Sequence, residues 1–235
     1  MRLLSKMTGA ALVAATALLG SPAQATATFA QFLQVVPGAR IFTYTNVNSG
    51  GIKAKLGTLA GGNTVLVSEL GTLASPSLAL VNLVGTAAAL PTVGSNISQR
   101  FSGSITFTLL APQLGMSGWS TDALKVTFTN AVLLASPGGS APTMQSDAGS
   151  TITYQSDFAD LTGVTSEDFS LSFSGASAPL SMLGTRLPNF RLSGSGTFAA
   201  VIPVPEPASW GLMLVGFGLA GATLRTVRRQ TPALA

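Results

Sequence analysis

The 235-residue chain contains no cysteine and no histidine. Without thiols there is no disulfide, no cysteine metal site and no thiol nucleophile. Without imidazole there is no Ser-His-Asp hydrolysis and no ready general base near neutral pH. Charge is scarce too. Only 9% of residues are Asp, Glu, Lys or Arg, against about a quarter in an average protein. Low charge accompanies disorder only where hydrophobicity is also low. Here 46% of residues are apolar, so the chain is expected to fold.

The formal charge of +4 is unevenly placed. Arg2 and Lys6 open the chain, and Arg225, Arg228 and Arg229 close it. Between them lie seven bases (Arg40, Lys53, Lys55, Arg100, Lys125, Arg186, Arg191) and seven acids (Glu69, Asp122, Asp147, Asp157, Asp160, Glu167, Asp168), which sum to zero. Glu206 is the eighth acid. The middle of the chain has no basic surplus, so no nucleic-acid partner is expected.

The N-terminus reads MRLLSKMTGAALVAATALLGSPAQATA. Arg2 and Lys6 form a positive region, Met7 to Leu19 an apolar one, and Gly20-Ser21-Pro22 ends it. Ala23-Gln24-Ala25 is a small-x-small cleavage site, with Ala25-Thr26-Ala27 as its competitor. This is the order of a secretory signal peptide, residues 1–25. The apolar stretch is short for a permanent bilayer span.

The C-terminus reads VPEPASWGLMLVGFGLAGATLRTVRR. No residue between Glu206 and Arg225 is charged. That run of about 18 residues is about 27 Å long as a helix, at the lower edge of a single transmembrane span. Trp210 falls at the outer interface, and Arg225, Arg228 and Arg229 form a cytoplasmic basic tail by the positive-inside rule. The body therefore faces outward. Pro205-Glu206-Pro207, the spaced Trp210, Gly216-Phe217-Gly218 and the terminal arginines together resemble the PEP-CTERM sorting signal in its PEPxxWA variant, with Gly211 where that variant has Ala. The resemblance implies processing by exosortase, a membrane-embedded protease that cleaves near the Pro-Glu-Pro motif. It implies transient membrane anchoring and delivery to the cell surface or extracellular matrix of Gram-negative, exopolysaccharide-producing bacteria. Two prolines keep the motif extended and out of the following helix, where a protease reaches it.

The body, residues 26–202, shows period two rather than 3.6. Ile105, Phe107 and Leu109 alternate with Ser104, Thr106 and Thr108. Leu124, Val126 and Phe128 alternate with Lys125, Thr127 and Thr129, and Phe169, Leu171 and Phe173 with Ser170, Ser172 and Ser174. Such segments read as half-buried strands, apolar in and hydroxyl out. Weaker strands are expected at 40–47, 64–70, 78–84, 150–158 and 196–202. Turn signals separate them at Asn48 to Gly51, Ala60 to Asn63 and Ser136 to Pro142. One helix is expected at Thr26 to Val36, with Phe29, Phe32, Leu33 and Val36 on one face. The two LGTLA segments set up no regular period, so no solenoid is expected. These features predict an all-β antiparallel sandwich or jelly-roll-like body. A Pro-rich linker at 203–207 joins it to the sorting helix and basic tail at 208–229.

Candidate chemistry in the body is thin. Asp157, Asp160, Glu167 and Asp168 concentrate hard oxygen ligands, which Ca²⁺ could use, but solvated turn residues explain them better. No metal site and no cofactor is expected. Trp119 with Asp122 could serve a sugar-stacking loop, although a lone Trp in a β protein is more often core. No Ser-x-x-Lys occurs in the body, and no pair of carboxylates is marked out for glycoside hydrolysis. The expectation is thus a non-enzymatic surface or matrix protein, associated with biofilm exopolysaccharide. A carbohydrate-binding module is the alternative. A secreted hydrolase using Asp157 or Glu167 ranks below both.

Overall fold

A computed structural model describes residues 24–203, apart from positions 62, 75, 163, 165 and 166, together with residue 217. Twelve strands follow one another: β1 (Gln24–Gln34), β2 (Phe42–Ser49), β3 (Ile52–Thr58), β4 (Thr64–Ser68), β5 (Ser77–Ala87), β6 (Thr92–Val93), β7 (Ile97–Gly115), β8 (Gly118–Ala135), β9 (Thr143–Gln145), β10 (Thr151–Gln155), β11 (Glu167–Ser174) and β12 (Phe190–Pro203). The body is therefore all-β. The chain divides into two compact units, of which Thr26–Ile202 is one.

The strands close on themselves. β5, β3, β2, β12, β11, β9, β8 and β7 are hydrogen-bonded in that order, and β7 bonds back to β5. This is a ring of eight antiparallel strands rather than the two separate sheets of the expected sandwich. Closure removes the unpaired edges that two open sheets would present. The remaining strands extend the walls. β5 pairs with β3 through Val84–Ala87 and with β4 through Ser77–Leu80. β4 in turn pairs with β1, and β1 with β12. β8 divides in the same way, giving Val132–Leu134 to β9 and Lys125–Thr129 to β10.

Alternation places each side chain. Ile105, Phe107, Leu109, Leu124, Val126, Phe128, Phe169, Leu171 and Phe173 are all buried, as their period-two spacing requires. Lys125, Thr127, Thr129, Thr108, Ser172 and Ser174 are exposed. Rings from opposite walls meet inside. Phe32 of β1 lies 5.1 Å from Phe107 of β7 and 6.2 Å from Phe198 of β12. Phe107 and Phe198 are 5.6 Å apart and edge-on, an arrangement their quadrupoles favour. The interior is packed with side chains, so the ring encloses a core and no channel.

The expected helix at Thr26 to Val36 is a strand. Its 3.6-period face fails on exposure: Leu33 is 59% and Val36 63% exposed, whereas Ala30 and Phe32 are buried. Two-residue alternation wins because β1 finds partners on both sides, β4 and β12. β1 runs opposite to β12. Gln34 near its end accepts a 2.9 Å bond from the Gly194 amide near the start of β12, and Phe32 lies over Gly196. The beginning of β1 and the end of β12 consequently share one end of the ring.

One polar link crosses the interior. Buried Tyr44 donates to Gln99 Oε1 at 2.8 Å, and Gln99 Nε2 donates to the Ala89 carbonyl at 2.9 Å. Burial pushes the Tyr44 hydroxyl pKa up to about 12. Tyr44→Phe keeps the ring stacked on Phe190 but leaves Gln99 Oε1 without its donor. It is expected to cost about 1–3 kcal/mol, the desolvation penalty of an unsatisfied buried acceptor. A lower urea midpoint at unchanged slope checks this.

Candidate functional site

The sorting residues Pro205, Glu206, Pro207, Trp210, Arg225, Arg228 and Arg229 lie outside the described residues, as does Ala23 of the leader. The expected membrane helix at 208–224 also lies outside them, residue 217 apart. Among the described residues no helix is long and apolar enough to cross a membrane. The described part shows where the signal begins. β12 runs to Pro203, so the last strand of the body meets the motif with only Val204 between.

Loops at that end of the ring are tied together. The segment after β10 passes over the end as Ser156–Thr162 before β11 starts at Glu167, which pairs with Ala200 of β12. Phe158 of this segment is fully buried and closes the core. Its carbonyl accepts from the Thr72 amide at 2.8 Å, in the β4–β5 connection. The Asp157 carbonyl accepts from the Met116 amide at 2.8 Å, in the turn between β7 and β8. The Ser120 hydroxyl donates to the Asp157 carboxylate and accepts from the Asp122 amide at 3.0 Å. Gln113 bridges outward, accepting from the Ala74 amide at 3.2 Å and donating to Ser77 Oγ at 2.8 Å.

This network frames a shallow cleft of about 380 Å³ lined by Thr106, Thr108, Asp122, Lys125, Gln155 and Asp157, with Phe107, Leu124 and Ser156. Two carboxylates, one ammonium and several hydroxyls face it. Trp119 does not line it. The structure therefore separates Trp119 from Asp122, which the sequence had suggested as one sugar-stacking loop. Trp119 is no core residue either, being 76% exposed.

The four acids at 157–168 are served one by one. The Thr162 hydroxyl and amide bind Asp160 and hold its pKa below the usual carboxylate range. Asp168 accepts from the Ser146 hydroxyl, and Asp157 from Ser120. Half-buried Glu167 is pushed up by desolvation. Among the described residues no three acids form a group able to hold a metal ion. A firmer carboxylate, Asp147, was not singled out from the sequence. Arg100 grips it with two bonds, at 3.1 and 2.6 Å, and holds its pKa down to about 2 with help from the Gly149 amide. This exposed pair pins the turn before β10 to β7. Their separation of 47 residues left no local signal.

A family model described as the PEP-CTERM protein-sorting motif matches residues 203–229. The chain thus carries the sorting signal that its Pro-Glu-Pro, apolar run and basic tail resemble. Such a motif supports a protein sorted by an exosortase, membrane-anchored on its way to the cell surface. No curated protein and no solved structure matches the chain.

Proposed function

We propose that the protein is a non-enzymatic structural component of the cell surface or extracellular matrix, released from its C-terminal anchor by exosortase and associated there with exopolysaccharide. The observation that carries this reading is the sorting motif at 203–229, which begins at the last residue of the last strand of the barrel. The walls support it. Rows of outward Ser and Thr on β7, β8 and β11 offer hydroxyls for many weak hydrogen bonds to polysaccharide or to neighbouring copies, where multivalency supplies avidity. The closed apolar interior leaves such association to the outer face.

A second reading, a carbohydrate-binding module with a defined pocket, is favoured by the cleft holding Asp122, Lys125, Gln155 and Asp157. It predicts saturable binding of one glycan, lost on Asp157→Ala. A matrix role predicts weak binding to many glycans that this substitution leaves unchanged. A hydrolase built on Asp157 and Glu167 would need both carboxylates across one cleft, and of the two only Asp157 lines this one.

Intact mass and location of the protein in its native host test the leading reading. The expected result is a body lacking both the leader and the residues beyond the motif, found in the surface or matrix fraction. Recovery of the chain with residues 208–229 still attached, in the inner membrane alone, overturns it.

A further inference from the structure

The hairpin of β7 and β8 carries an apolar tip that the reading above leaves unused. Leu114 and Trp119 face each other across its strands. They are 62% and 76% exposed, and Met116 in the turn is 49% exposed. Leu110 and Pro112, both exposed, continue the β7 face toward this tip. From Thr108 to Thr121 no residue is charged. A soluble surface scatters its large apolar side chains, and a cluster of this kind marks a contact.

The tip is fixed in place: Gln113 ties its base to the β4–β5 connection, and the Met116 amide in the turn and the Ser120 hydroxyl tie it to Asp157, while the side chains of Leu114, Met116 and Trp119 stay exposed. The bonds that pin it also locate it. Asp157 belongs to the segment leading into Glu167, and Glu167 pairs with Ala200, three residues before the end of β12. The apolar tip and the exit of the chain therefore lie at one end of the ring.

Length then limits what that end meets. From Pro203 to Ala208, where the uncharged run begins, there are five residue steps, at most about 18 Å when fully extended. While the run is anchored, a bilayer surface lies within that reach of the exit end.

We propose that the hairpin tip is a lipid-contact element: Trp119, with Leu114 and Met116, enters the outward-facing interface of the same membrane that anchors the sorting segment. This rests on the reading of residues 208–224 as a membrane span. An indole at headgroup depth with aliphatic neighbours is the composition that interfaces favour. A sugar platform would set polar partners beside the ring, and the polar cleft lies elsewhere. A tip of three side chains binds weakly alone, and the tether raises its effective concentration. The contact therefore holds the unprocessed body in one orientation and is lost when cleavage releases it. With no Lys or Arg from Thr108 to Thr121 and the Asp157 carboxylate bonded to Ser120 beside the tip, the contact does not depend on anionic lipid.

Two tryptophans make the test internally controlled. The full chain is reconstituted in phosphatidylcholine vesicles with and without brominated acyl chains, as Trp210→Phe (reporting Trp119) and as Trp119→Phe (reporting Trp210). The expected result is blue-shifted emission and loss by bromine quenching for both reporters, unchanged at high salt. Met116→Asp should return Trp119 to red-shifted, unquenched emission and leave Trp210 as it was. Trp210 quenched with Trp119 unquenched overturns the proposal while the anchor reading stands. Neither quenched overturns the anchor reading and the proposal with it. Quenching of Trp119 that a soluble glycan abolishes, with Trp210 still quenched, assigns the tip to sugar and also overturns it.

Discussion

Phe32→Ala is expected to be among the most damaging single substitutions in the body. Phe32 is 2% exposed and sits where three walls meet. Its ring lies 5.1 Å from Phe107, 6.2 Å from Phe198 and 6.4 Å from Phe42. Gly196 completes the fit, because a β-carbon there would come within 2.6 Å of a Phe32 ring carbon. Truncation removes the transfer energy of the ring and leaves a cavity that a closed barrel cannot collapse to fill. The loss is about 3–5 kcal/mol, a large share of the roughly 5–15 kcal/mol that holds a domain folded. A midpoint fall of roughly 6–20 °C should follow. Gly196→Ala approaches the same contact from the other side by overpacking, at about 1–3 kcal/mol. Denaturant unfolding of both variants checks the pair. A wild-type midpoint for Phe32→Ala would show that the ring is not the central packing element.

Strands with full two-residue alternation were legible from the sequence, because inward apolar residues alternate with outward polar ones. β7, β8 and β11 fall where the spacing put them, with the right face inward. Four strands were not legible as such. β3 offers only Ala54 and Leu56 as buried residues, alternating with Lys53 and Lys55. β6 and β9 are two and three residues long, too short for any period to register. β1 reads as a helix in the sequence, since Phe29, Phe32, Leu33 and Val36 share one helical face although they split between the two faces of a strand, and only the pairing with β4 and β12 decides against it. Barrel closure was invisible because it depends on β5 pairing with both β3 and β7. Alternation fixes which face is buried, not which strand lies beside which.

The site divides along the same line. The sorting signal is a contiguous stretch whose chemistry is local, so it could be read directly. The hairpin tip could be read only in part. A two-residue turn between Gly115 and Gly118 was available, with Leu114 and Trp119 at mirrored positions around it. Whether such a pair enters the core or leaves it depends on how far the hairpin runs past its neighbours. β7 and β8 extend beyond β5 by several residues, which carries Trp119 into solvent. The cleft required long-range facts, since Asp122 and Asp157 come together only through the β8–β10 pairing and the loop after it.

Glu206→Ala is expected to slow processing of the chain and keep the body attached to the membrane for longer. Glu206 is the one acid after Asp168 and the last charged residue before Arg225. Prolines on both sides fix their own φ and bias the residue preceding each toward extended backbone. That bias favours the extended form in which a protease binds a substrate segment along its length. Recognition of a lone carboxylate rests on charge-assisted hydrogen bonds, each worth about 1.5–3 kcal/mol. Losing one such bond lowers kcat/KM by roughly 10- to 150-fold. Glu206→Asp keeps the charge on a shorter arm and should lose less. Neither change touches Thr26–Ile202, so the denaturant midpoint of the body should stay at the wild-type value and separate failed processing from failed folding. Intact mass against time after synthesis gives the rate. A Glu206→Ala chain trimmed as fast as wild type would show that the protease does not read this carboxylate, and recognition would then pass to Trp210 and the apolar run. If trimming slows as expected, the Trp119 contact should persist in the unprocessed chain, because the tether that sustains it has not been cut.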